Sequence, residues 1–106
     1  MVSMQVIREF CGQIASAFRP RRIILFGSYA DGRATAQSDV DLLVVMPHRG
    51  HPIHKAVEIL DQLDPKFAID LLVRSPAEVR RRLTQQDWFM RAVVEKGKVL
   101  YEAADA

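Results

Sequence analysis

The sequence predicts an α/β (α+β) fold, a sheet of about four short strands with helices packed on it. Two observations carry this. Short apolar runs alternate along the chain with stretches whose apolar residues recur at helical spacing. The chain is also only 106 residues long, with 49% apolar and 26% charged residues, the size and balance of one ordinary soluble domain with a modest core. No linker, repeat or low-complexity block divides it, so residues 1–106 are read as a single domain.

The first element is a helix. Val6, Ile7, Phe10, Cys11, Ile14 and Phe18 share one face, and Pro20 stops it. Cys11, the one cysteine, falls on that face and reads as a buried small hydrophobe rather than a reactive thiol. Ile23-Ile24-Leu25-Phe26 starts a strand over about 23–27, and the small, polar stretch 28–36 forms a short helical turn and a loop. A second strand runs from about Asp39 to Met46, where Pro47 ends it. After a Gly/Pro/His loop, a helix over about 53–63 turns Ile53, Val57, Leu60 and Leu63 inward and breaks at Asp64-Pro65. The third strand covers about 67–73. Ser75-Pro76-Ala77-Glu78 has the form of a capping box with Pro at N1, opening a helix to about Gln85. Asp87 caps another helix that runs to Lys96 and closes at Gly97. Lys98–Tyr101 forms a short edge strand, and 103–106 a tail.

Charge excludes more than it assigns. With 15 basic and 13 acidic residues the net charge is only +2, so no strong field for polyanions exists and direct nucleic-acid binding is not indicated. No apolar run approaches the roughly 20 residues needed to cross a bilayer, and residues 1–5 lack the pattern of a signal peptide. The cytoplasm is the expected location, with no membrane partner. His48, His51 and His54 straddle a loop without adjoining Cys or acidic ligands and read as solvated. Arg80-Arg81-Arg82 reads as an exposed helix side, Tyr29 as a packing residue, and Trp88 as packing first and a partner anchor second.

The chemistry concentrates in Asp39-Val40-Asp41. A strand alternates its faces, so Asp39 and Asp41 point the same way. Two close carboxylates repel unless a cation lies between them, which points to a divalent metal. Asp70 interrupts the third strand in the same manner, and all three acids converge if the two strands are neighbours. Hard oxygen ligands of this kind suit two Mg²⁺ ions, with Asp70 also placed to accept a proton from an attacking hydroxyl. Gly27-Ser28 lies at a strand end, where a tight turn exposes backbone N–H groups to an anion. Metal and anion cradle together indicate a nucleoside triphosphate. Taken singly, each acid could instead be a cap or an ion-pair member, Asp70 with Arg74 for instance. Two other phosphate motifs are ruled out: Arg33-Ala34 stands where a Walker A loop needs Lys and Ser/Thr, and no GxGxxG occurs.

Gly27-Ser28-Tyr29-Ala30-Asp31-Gly32, followed by Ser38-Asp39-Val40-Asp41-Leu42, resembles the G-S-[FY]-A-R-G…S-D-[IVL]-D-L signature of the DNA polymerase β-like nucleotidyltransferases. The small size, and the ending Asp87-Trp88-Phe89…Val99-Leu100-Tyr101-Glu102, resemble the minimal nucleotidyltransferase subgroup. The resemblance implies the polymerase β-like fold with a mixed sheet. It implies Gly27 and Ser28 on the triphosphate of ATP, and Asp39, Asp41 and Asp70 as the catalytic, Mg²⁺-holding acids. It further implies an antitoxin that forms a hetero-oligomer with a HEPN-type ribonuclease toxin encoded nearby and moves AMP from ATP to a hydroxyl of that partner. Asp31 departs from the signature, placing a negative charge where arginine is usual. Two alternatives keep these residues: an antitoxin that neutralises by binding alone, favoured by Asp31, and a nucleotidyltransferase acting on a small molecule or nucleic acid.

Overall fold

The strands pair through a run of β-branched and leucine residues long enough to be covered on both faces. In the computed structural model, which describes residues 1–104, four strands form one sheet in the order β3-β2-β1-β4. They are β1 (Arg22–Phe26), β2 (Val40–Val45), β3 (Ile69–Arg74) and β4 (Lys98–Glu102). β1 pairs antiparallel with β2 and β4, while β2 and β3 run parallel, so the sheet is mixed. A parallel neighbour requires a crossover, supplied by α3 (Pro52–Leu63).

The pleat sorts side chains into two apolar layers. Ile23, Leu25, Val40, Leu42, Val44, Leu71 and Val73 face α1 (Met4–Phe18) and α3, which contribute Ile7, Phe10, Ile14 and Ile59. Ile24, Leu43, Val45 and the half-buried Phe26 and Leu72 face α4 (Pro76–Thr84) and α5 (Trp88–Lys96), which add Met90 and Val93. Burial on both faces explains the unbroken apolar sequence of β2.

The local start signals operate as physics requires. Ser75 Oγ accepts the Glu78 N–H at 3.1 Å and Asp87 Oδ1 accepts the Met90 N–H at 3.0 Å. Only half of the Ser75 capping box forms, because the Glu78 carboxylate takes Arg81 at 2.9 Å and Arg82 at 2.8 Å.

Several expectations need correction. Val6 is 41% exposed, and Ile53 and Val57 are 53% and 47% exposed rather than inward. The buried stripe of α3 is Ala56 and Ile59, with Leu60 and Leu63 half-buried beside it. The small Ala56 side chain lets the helix backbone approach the sheet, which turns Ile53 and Val57 outward. Gly97 ends α5 in an extended conformation (φ −73°, ψ 169°), so no left-handed turn calls for it. A Cβ there would lie 2.6 Å from Ile24 Cγ2 and 2.9 Å from the Leu25 carbonyl, and this close approach is what glycine permits. Of the tail expected over 103–106, residues 105–106 lie outside the described residues.

Candidate active site

The site grows from the end of β1. After Phe26 the chain turns at Gly27 with φ 73° and ψ −154°, a region open essentially only to glycine. The turn leads into α2 (Ser28–Asp31), in which the Ala30 and Asp31 N–H groups donate to the Gly27 carbonyl, each at 3.1 Å. The Ser28 and Tyr29 N–H groups precede the first bond of the turn, as at any helix start. A Cβ on Gly27 would run into the Asp41 carboxylate, so the turn and the acid are in intimate contact.

Strand register supplies the rest. Phe26 pairs with Asp41, and Asp41 pairs with Asp70 across the parallel ladder. These residues share the face of α4 and α5, at the end of the sheet where both β2 and β3 begin. Neighbouring strands lie about 4.8 Å apart, so Asp41 and Asp70 stand side by side, with Asp39 just ahead of β2. Asp41 is half-buried, whereas Asp39 and Asp70 are exposed. Burial pushes the Asp41 carboxyl above the usual carboxylate range, and the negative charges of Asp70 and Asp39 push it the same way. Among the described residues, no lysine, arginine or histidine forms an ion pair with any of the three acids. Nor do three or more His, Cys, Asp or Glu residues among the described ones come together as a group that could hold a metal ion, so the expected convergence of all three acids is not formed. The acids therefore form an open, like-charged edge.

The flanking residues have defined tasks. Arg33 Nη2 meets Asp31 Oδ2 at 2.7 Å, so the acid at the arginine position of the signature carries its own counter-charge. Tyr29 is buried, and its hydroxyl accepts the Val2 N–H at 3.0 Å, a packing role. Phe26 meets Phe89 edge to face at 5.7 Å, and Phe89 meets Trp88 at 6.2 Å, yet Trp88 is 80% exposed. An opening of about 270 Å³ between α5 and the turn is bordered by Phe26, Gly27, Asp31, Phe89 and Lys96. Sequence reading passed over Lys96, which looked like an ordinary last-turn cation of a helix. The histidines serve local structure: the His51 ring accepts the Ile53 N–H at 3.1 Å as the cap of α3, and the His48 ring lies 3.2 Å from the Gly50 carbonyl.

The profile of the "Nucleotidyltransferase domain" family matches residues 4–103. A "Putative protein adenylyltransferase" of Methanocaldococcus jannaschii is 34% identical over 102 residues, which cover 92% of this chain and 96% of that protein. A crystal structure described as "a putative nucleotidyltransferase from Sulfolobus solfataricus" superposes with a TM-score of 0.65 at 19% identity, covering 92% of this chain and 78% of that one. A crystal structure described as a toxin–antitoxin with AMP-PNP gives 0.57 at 23% identity, covering 92% and 75%. At those identities the two structures establish the fold alone. The profile match over nearly the whole chain and the curated relative establish more: this protein belongs to the nucleotidyltransferase domain family, as one of its minimal members, and is a transferase enzyme.

Proposed function

We propose that the protein transfers AMP from ATP to a hydroxyl of a partner protein, with divalent metal, as the antitoxin of a HEPN-type ribonuclease toxin. The carrying observation is the register that sets Asp41 beside Asp70 and against the Gly27 turn. The protein-adenylyltransferase relative favours a protein acceptor, and the toxin–antitoxin neighbour with AMP-PNP favours the pairing and the nucleotide.

The chemistry of the donors fits a hard divalent cation: carboxylate oxygens without basic partners, their like charges repelling one another. Asp39, Asp41 and Asp70 would hold it, and two bound Mg²⁺ would neutralise the triphosphate and stabilise the charge that develops on the leaving pyrophosphate. The Ser28 hydroxyl and the N–H groups of the turn hold phosphate oxygens. Asp70, the most open of the acids on the ladder, takes the proton as the acceptor oxygen bonds to the α-phosphorus and the bond to pyrophosphate breaks. Arg33 keeps Asp31 from repelling the triphosphate.

Intact-mass spectrometry of the neighbouring gene product tests this, after incubation with the protein, ATP and Mg²⁺ beside an Asp39→Asn control. A gain of one or more AMP units that the control lacks is the expected result. No gain, with a complex still present under native conditions, would overturn transfer in favour of neutralisation by binding. Asp70→Asn lowers the transfer rate by about 10²–10⁴-fold if Asp70 is the proton acceptor.

A further inference from the structure

α4 is an unusual helix for this fold because it has no buried residue. Its apolar side chains Val79 and Leu83 only half-cover the sheet, and beneath them lies an opening of about 270 Å³ floored by Ile24 and Val45. That is room for a large aliphatic side chain, and it falls short of the roughly 300–1,000 Å³ of pockets that take drug-sized ligands. Arg21, Arg22 and Arg80 stand around the opening, and among the described residues no acidic one lines it. Among the described residues Arg21 and Arg80 have no ion-pair partner, and Arg22 holds only Glu102 at 2.9 Å, with both side chains about half exposed. An apolar floor rimmed by guanidinium groups complements an aliphatic side chain flanked by carboxylates. It suits RNA poorly, because no aromatic residue lines the opening to stack a base and the floor offers nothing to phosphate.

Its position adds a second argument. The register row Arg22–Val45 crosses this end of the sheet, and the row Phe26–Asp41–Asp70 crosses the other end, on the same face. From Val45 to Asp41 along β2 is about 13 Å. Leu43, midway between them, is covered by Met90 and Val93 of α5, so a polypeptide anchored under α4 follows the outside of that helix to the open acids.

We propose that the opening between α4 and the sheet is the docking pocket for an acidic, leucine-type anchor segment of the protein acceptor. The pocket would hold the acceptor on the side of the sheet that carries the carboxylates at its other end, with α5 between the two. This rests on the reading that the acceptor is a protein, and it explains how a minimal enzyme could select one.

Fluorescence anisotropy with the labelled peptide Glu-Asp-Glu-Leu-Glu-Asp-Glu, without ATP, tests it. The peptide binds the wild type, binds about tenfold or more weakly to Arg80→Glu and Arg21→Glu, and loses affinity as salt rises. Val79→Asp, which fills the pocket mouth with charge, abolishes binding, and circular dichroism verifies that each variant is folded. Unchanged affinity in both arginine variants overturns the proposal. So does equal binding of the peptide with Lys in place of Glu and Asp, preferential binding of single-stranded RNA, or peptide-independent self-association that buries the pocket. Nucleotide binding is measured on the same samples. Failure of ATP to bind the wild type would strike the transfer reading while leaving the peptide result standing, and the two failures are thereby separate.

Discussion

Gly27 meets two demands at once, a backbone conformation closed to other residues and a missing side chain where the Asp41 carboxylate lies. Gly32, with φ 74° and ψ 20°, lies in the left-handed region that Arg19, Asp64 and Gln86 also enter, and nothing approaches its Cβ position within 4 Å. Gly32→Ala is expected to cost about 1–2 kcal/mol of strain. Gly27→Ala adds displacement of Asp41 to a strain of about 1–3 kcal/mol, so it lowers the urea midpoint further and removes nucleotide binding. Asp41 itself gives a pH signature. Its carboxyl titrates higher in the folded chain than in the unfolded one, so folding favours the protonated form. That contribution to stability is present at acid pH and lost as pH rises through the folded value. Asp41→Asn should therefore raise the melting temperature of the ligand-free protein at pH 7. The gain shrinks when the same melts are run at acid pH, while AMP transfer is lost. At this scale the sequence showed which acids and glycines mattered. It could not show that Arg33 reaches back to Asp31, since that pairing depends on the left-handed turn at Gly32 between them.

The caps at Ser75 and Asp87 were legible because they are local, whereas His51, read as a solvated loop residue, caps α3. Ser75 and Asp87 act through N–H groups three residues away, whatever the rest of the chain does. Ser75→Ala should cost about 1 kcal/mol and loosen α4 above its pocket, a change that hydrogen exchange in residues 76–84 would register. The buried face of α3 was not legible. Ile53, Val57 and Leu60 make one helical stripe, Ala56, Ile59 and Leu63 another, and only the sheet decides between them. Ile59→Ala should destabilise by about 2–5 kcal/mol, whereas Val57→Ala, on the exposed side, should stay within about 0.5 kcal/mol in urea unfolding. Strand positions were legible for the opposite reason: runs such as Leu42–Val45 have no amphipathic alternative at that length.

For the molecule as a whole, periodicity revealed the strands and left their order open. The neighbouring of Asp41 and Asp70 is a property of the parallel β2–β3 pairing, and that pairing follows from the α3 crossover rather than from any residue near the acids. The same face carries an acidic end and an arginine-rimmed end, although the sequence as a whole sums to +2. A uniform composition concealed that division because the residues forming each end come from distant strands. The placement of β4 has another consequence. β1 lies between β2 and β4, and residues 98–102 supply its second partner. During synthesis the inner strand thus keeps a bare edge from the time Phe26 emerges until β4 follows, a delay on the order of ten seconds at ribosomal speeds. The backbone edge of β1 that β4 pairs with is open during that interval, so aggregation or capture by another nascent chain competes with closure. Slower translation of the segment after Phe26 lengthens that exposure and should lower the soluble yield.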